Sequence, residues 1–377
     1  MMPDDAAVAV DVDSGRFQER FALPAVAPVA DADGDRPWLT VALPVYVSDP
    51  RDLPLLERAL RGVLVYADQH PDVEILVVDD ASPHAGVEDF IRQVVGDRAL
   101  RYVCNEHNLH AVGNIQRCVD LSRGEWVHVL HDDDAVTGQF YQRVRQLINE
   151  HPDVDQIVTQ VASGTDVRNP ALTMRITADA PVVFDDWFER ISEFSLIWHT
   201  GVVTRRRVYE QVGNWGFATD WLSSGLVHNE GGWDWEWMLR LPLAGHKTLF
   251  VPEVLAFYNQ GTTGTSATHH LDLDLQVALN VMAVLERYLG AKAARRHQER
   301  IAHFYLSLVW REVLQYAEFW CFASARHLLE SKRCRQLETW LPAVREQFDN
   351  ARTMLQQQNH EWHDTRDFFN YNTKPKA

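Results

Sequence analysis

The chain has 377 residues, 46% of them hydrophobic and 24% charged, with a formal net charge of -17. That length is enough for one large core or two smaller ones. The acidic balance argues against nucleic acid or an anionic membrane as the main partner, because both need clustered Lys and Arg.

Residues 1–36 are rich in Ala, Asp, Pro and Val without periodicity, and read as an acidic flexible arm, mobile or loosely docked. Order begins at "WLTVALPVYV", Trp38–Val47, a β-branched apolar run that predicts a buried strand. "LPLLERALRGVLVYADQ" then places Leu and Val at helical spacing. "VEILVVDDAS" is a second strand, "VEDFIRQVVG" a second helix, "ALRYVCNEHN" a third strand and "AVGNIQRCVDLSRG" a third helix. "EWVHVLHDDD" is a fourth strand that runs into three consecutive acids. Between 150 and 260 the pattern is less regular, with strand-like runs in "VDQIVTQVAS" and "HTGVVTRRRVYEQVG". "EGGWDWEWMLRLPLAGHKTLFVPEVLAFYNQ" reads as loop, helix and strand, and "GTTGTSATHH" as a loop. From about Leu271 to Gln358 the pattern is helical throughout.

Near-continuous apolar strands alternating with helices predict a mostly parallel sheet covered on both faces. Ligands of such sheets bind outside the carboxyl ends of the strands. Here those ends carry Tyr46 and Ser48, then Asp79 and Asp80, then Asn105 and Asn108, then Asp132, Asp133 and Asp134. Adjacent carboxylates at such an edge suit a hard divalent cation shared with substrate phosphates, such as Mg²⁺ or Mn²⁺. That would let an acidic protein hold an anionic nucleotide. Asp79 and Asp80 have a different use open to them, accepting hydrogen bonds from a base or ribose. The bland alternatives are a helix cap at either cluster and a solvated loop at the triplet. In "EGGWDWEWMLRL" two glycines permit a close backbone approach. Asp234 opens a helix there, and Trp215, Trp221, Trp233, Trp235 and Trp237 crowd the region, either as core or as faces for sugar stacking.

Taken in order, "LPVYV", "EILVVDDAS" and "NEHNLHAVGNIQRCVDLSRGEWVHVLHDDDAV" resemble the nucleotide-sugar domain of family 2 glycosyltransferases. The resemblance covers roughly Trp38 to Gly261. It implies an α/β GT-A fold, Rossmann-like, with a C-terminal helical appendage. The expected division is an arm over 1–36, the GT-A domain over 37–265 and a helical region with a polar tail over 266–377. It further implies inverting transfer of a sugar from a nucleotide diphosphate, most often UDP, to a hydroxyl of a carbohydrate or glycoconjugate. Pro44, Val45, Tyr46, Asn108 and either Asp79 or Asp80 would border the nucleotide. Mn²⁺ or Mg²⁺ would sit on Asp134 or Asp133. If Asp134 is the ligand, Asp132 fills the family's preceding acid place; if Asp133 is, that place holds His131. "WDWEWMLRL" resembles the family's acidic helix, which puts Asp234 at the general base and Glu236 at the second acid. Glu230, Gly232 and Trp233 would border the acceptor.

Weaker phosphate or metal candidates are Arg205, Arg206, Arg207, His269 and His270, for which a solvated role is the stronger reading. Two rival functions remain. A nucleotidyltransferase would need a Gly-rich basic loop after the first strand, where "VYVSDPRD" has no glycine. An inactive glycan-binding relative would rely on the tryptophans alone. Cys104, Cys118, Cys321 and Cys334 lack metal-ligand spacing and read as free thiols. No apolar run reaches the ~20 residues that span a bilayer, and no signal peptide is evident. The expectation is a cytoplasmic protein, with peripheral association at the inner membrane face and a homodimer through the C-terminal helices both open.

Overall fold

The computed structural model describes residues 16–26, 36–168, 171–172, 176–192, 199–229, 231–260, 271–318 and 322–357. After one helical turn, α1 (Phe17–Arg20), the chain runs β1 (Leu39–Val45), α2 (Leu53–Ala67), β2 (Val73–Asp79) and α3 (Val87–Val95). It continues through β3 (Arg101–Cys104), α4 (His110–Leu121), β4 (Trp126–Val129), β5 (Ala135–Val136), α5 (Phe140–Glu150) and β6 (Gln156–Gly164). Next come the short β7 (Ala171–Leu172) and β8 (Val182–Val183), then α6 (Trp187–Ser192), β9 (Val202–Arg205), α7 (Arg206–Val212) and α8 (Thr219–Ser223). The acidic helix is α9 (Trp233–Leu243), and β10 (Thr248–Asn259) follows it. Five helices close the described chain: α10 (Leu271–Leu289), α11 (Ala291–Glu318), α12 (Phe322–Glu330), α13 (Lys332–Glu338) and α14 (Pro342–Gln357).

The apolar runs become buried strands for a visible reason. Leu39, Val41, Leu43 and Val45 of β1 join the main core on one face, while Ala42 packs with Leu76, Val78 and Cys118 on the other. A strand apolar on both faces needs cover on both, and the helices supply it. The sheet order is β3-β2-β1-β4-β9-β6-β10-β5. The first four strands are parallel, as is the β6–β10 pair. The sheet is nonetheless mixed: β9 runs antiparallel between β4 and β6, and β5 antiparallel to β10. Along β10 the register against β6 shifts between Val251 and Val254 and again before Ala256. Pro252 lies in that stretch and has no N–H to give the ladder.

The N-terminal segment departs from the expected loose arm over residues 16–26. Phe17 and Phe21 pack their rings on Tyr288 of α10 at 5.1 and 4.7 Å. Leu23 and Val26 are buried as well, and the Pro24 carbonyl accepts a hydrogen bond of 2.7 Å from the Asn214 amide. Four apolar side chains in ten residues give this piece enough area to dock. The C-terminal helices pack on one another, with Arg352 of α14 buried against Glu338 and the Leu329 carbonyl. Among the described residues no helix is long and apolar enough to cross a membrane.

Candidate active site

The loops after β1, β2, β3 and β4 converge at one edge of the sheet, as parallel strands require, and form a cleft of about 520 Å³. Pro44, Val45 and Tyr46 of the first loop line it, and the Tyr46 ring stands 36% exposed at its mouth. Asp80 and Asp79 leave β2 in different directions. Asp80 lines the cleft, and its Oδ1 accepts hydrogen bonds from Asn105 Nδ2 at 2.8 Å and the Leu109 amide at 2.7 Å. Asp79 is buried; it accepts from the Ser82 amide and the Tyr102 hydroxyl and does not line the cleft. Asn108 and His110 border the cleft from the loop after β3. His110 holds a left-handed backbone, φ 61°, unusual for a residue with a Cβ. The Asn108 side-chain oxygen accepts from the His110 amide at 2.7 Å and steadies that turn.

The triplet divides into three environments. Asp132 Oδ2 accepts a hydrogen bond from the Tyr46 amide at 3.0 Å. Burial and the neighbouring Asp133 charge push its carboxyl up to about 7. Asp134 is buried, with Oδ1 accepting from the Asn259 amide at 2.9 Å and Oδ2 from the Thr200 hydroxyl. Burial, then Asp133, hold it well above the usual carboxylate range. Asp133 is half-buried and lines the cleft; only its carbonyl is engaged, by Arg58 Nη2 at 2.5 Å. A ring nitrogen of His131 and one carboxylate oxygen each of Asp133 and Asp134 lie within 4.8 Å of one another. His131 Nε2 is buried without a partner. An imidazole nitrogen and two carboxylates close together, with Arg58 the basic group beside them, fit a divalent cation.

Asp234 lines the same cleft from the first turn of α9, where the helix dipole favours a negative charge. A third of its side-chain surface is open, and its Oδ2 lies 3.9 Å from His199 Nε2. Burial deep in the cleft pushes its carboxyl above the ordinary value. His199 is held edge-on to Trp215 at 4.3 Å and stacked on Trp233 at 5.9 Å. Burial, and then the neighbouring His131, push its imidazole well below the ordinary range.

Several expected residues lie elsewhere. Glu236 points away from the cleft, fully buried, bound by Arg240 at 2.7 and 2.6 Å and by the Tyr288 hydroxyl. Arg240 also donates to the carbonyls of Val212, Asn214 and Gly216, so this pair ties α9 to α10 and to the loop after α7. One helical turn after Asp234 would carry a side chain back to the same face; two residues carry it to the opposite one. Gly232 is buried against α10: a Cβ there would meet Val277 at 3.2 Å, and its φ is 85°. The glycine serves helix packing, not ligand approach. Trp215, Trp221, Trp235 and Trp237 are buried core, with Trp237 stacked on Trp215 at 4.5 Å; Trp233 alone of the five lines the cleft. Arg205, Arg206 and Arg207 sit at the far end of the sheet, where Arg205 pairs with Glu125 and Arg207 with Asp155. Glu230, His269 and His270 lie outside the described residues.

His199, Thr200 and Tyr258 also line the cleft, and no sequence pattern marks them. Their local segments carry no acid cluster or glycine pattern, so only tertiary proximity marks them.

Residues 40–213 match the family described as glycosyl transferase family 2. The fold is similar to S. aureus TarS 1–349, at 14% identity and a TM-score of 0.53 over 86% of this chain and 93% of that one. The same protein in complex with UDP-GlcNAc gives 13% identity and a TM-score of 0.53 over the same shares. An uncharacterised protein, y4gI, of Sinorhizobium fredii (strain NBRC 101917 / NGR234) is 28% identical over 124 residues. That stretch is 33% of this chain and spans 13% of the relative's length.

Proposed function

We infer the chemistry from the family: residues 40–213 of this chain are a family 2 glycosyltransferase domain of the GT-A fold. We propose that the chain moves a sugar from a nucleotide diphosphate, UDP first among the candidates, to an acceptor hydroxyl with inversion at the anomeric carbon. The observation that carries this reading is that Asp234 lines the same cleft as Asp133, beside His199. S. aureus TarS, described in complexes with UDP-GlcNAc and with UDP, supports the choice of donor class.

In this reading the nucleotide lies along the loops after β1, β2 and β3. Asp80, fixed by Asn105 and Leu109, accepts a hydrogen bond from the base or ribose. Tyr46 offers its ring at the mouth for base stacking. Asp133 and Asp134 would hold the cation, Mn²⁺ or Mg²⁺, which would offset the charge of the departing diphosphate. Asp234 takes the proton from the acceptor hydroxyl as that oxygen attacks the anomeric carbon. His199 lies next to it, with Nε2 3.9 Å from Oδ2. Trp233, stacked on His199, forms the acceptor-side wall. One displacement needs one base, and Asp234 supplies it while Glu236 stays bound to Arg240.

The test is a panel of UDP-sugars, beginning with UDP-GlcNAc, incubated with the full chain and a glycan mixture with Mn²⁺ or with EDTA. UDP release that needs the metal, with a product of inverted anomeric configuration by NMR, is the expected result. Glycan binding without UDP release, indifferent to metal and to Asp234→Ala, would leave a binding protein in its place.

A further inference from the structure

We propose that His131 is itself a ligand of the divalent cation, and that the resulting imidazole–carboxylate set selects a first-row transition ion over Mg²⁺. This rests on the transferase reading only in requiring a cation in this cleft. The acid pattern of the sequence points to an all-oxygen site drawn from Asp132, Asp133 and Asp134. The side chains are arranged otherwise. Asp132 turns its Oδ2 onto the Tyr46 amide, and it is His131 that stands with Asp133 and Asp134, ligand atoms within 4.8 Å.

Three further observations agree. His131 Nε2 is buried and has no hydrogen-bond partner among the described residues, a condition that is unfavourable when nothing fills it. The ring is braced edge-on by His199 at 5.5 Å, and His199 is braced in turn by Trp215. The Asp133 carboxylate lines the cleft, and among the described residues no hydrogen bond to it is seen, although the Arg58 charge lies near. An imidazole in place of a third carboxylate changes two things. It lowers the ligand charge by one, and it replaces an oxygen with a softer nitrogen. Mg²⁺ keeps oxygen ligands and water, whereas first-row transition ions accept imidazole readily.

Mn²⁺ bound to the full chain, with and without UDP, gives the test through electron spin-echo modulation, which needs no turnover. The expected signal is ¹⁴N coupling that changes when the protein carries ¹⁵N-histidine and disappears in both His131→Asp and His131→Asn. Losing even an outer-shell partner costs about 10- to 100-fold in metal affinity, so Mn²⁺ binding to His131→Asn falls by at least that much. In His131→Asp the preference for Mn²⁺ over Mg²⁺, read by competition, narrows about tenfold. Circular dichroism checks that both variants fold, and the wild-type spectrum stands without them. Bound Mn²⁺ with no histidine coupling, or coupling that survives in both folded variants, overturns the inference and leaves a carboxylate metal site for transfer. No Mn²⁺ bound even with UDP removes the cation, and with it both the inference and metal-assisted transfer.

Discussion

His199 Nε2 lies 3.9 Å from Asp234 Oδ2, although 35 positions separate the two residues in the chain. The gap is too wide for a direct hydrogen bond, and His199 Nε2 is closed off from solvent. Asp234, by contrast, keeps a third of its side-chain surface open to the cleft.

Removing the base is the first check of the proposed chemistry. Asp234→Asn keeps the shape and loses the proton acceptor, so kcat falls about 10²- to 10⁴-fold. Affinity for UDP with Mn²⁺, measured by calorimetry, stays at the wild-type value, as the proposed place of Asp234 on the acceptor side requires. Wild-type turnover in this variant would remove Asp234 from the reaction.

The pH profile gives an independent reading. Burial raises the Asp234 carboxyl above its ordinary value. A base works only when deprotonated, so kcat/KM rises with pH through this group and levels above it, with the acid limb displaced upward from the usual carboxylate range. The limb disappears in Asp234→Asn. A limb that persists unchanged in that variant would belong to another group.

Asp133 and the fold are expected to be separable. Its carboxylate faces the cleft, and the neighbouring acids feel it as a repulsive charge. Asp133→Asn therefore loses Mn²⁺-dependent UDP binding while its melting temperature stays at or above that of the wild type. A large loss of stability would mean that the carboxylate holds the structure together.

Glu236 carries the opposite expectation. Glu236→Ala leaves the Arg240 guanidinium buried and unpaired, at a cost of about 3–5 kcal/mol. Urea unfolding measures it as a lower midpoint. If Glu236 were instead a second reactive acid, the variant would keep its midpoint and lose turnover.

The strand–helix alternation from Leu39 to Val129 was legible because each apolar run carries its own periodicity within ten or fifteen residues. The reversed strand β9 was not, since strand direction depends on partners far away in the chain. Phe17 and Phe21 looked like part of a loose arm because their partner, Tyr288, is more than 260 positions distant. In the candidate site, the acids at the strand ends could be listed from the sequence. Their environments could not. Asp79 turns to Tyr102, Asp134 to Thr200 and Asn259, and Glu236 to Arg240 and Tyr288.

By itself the sequence determined that the chain builds a covered sheet with acids at the carboxyl ends of its first strands, because the hydrophobic period and the residues that close each apolar run are local properties of the chain. Only the tertiary structure decided which acids stay open, that His131 stands with Asp133 and Asp134, and that His199 lies beside Asp234. The reason is physical: a carboxylate or imidazole acquires its role from the donors and charges packed around it, and those come from segments the chain brings together only when it folds.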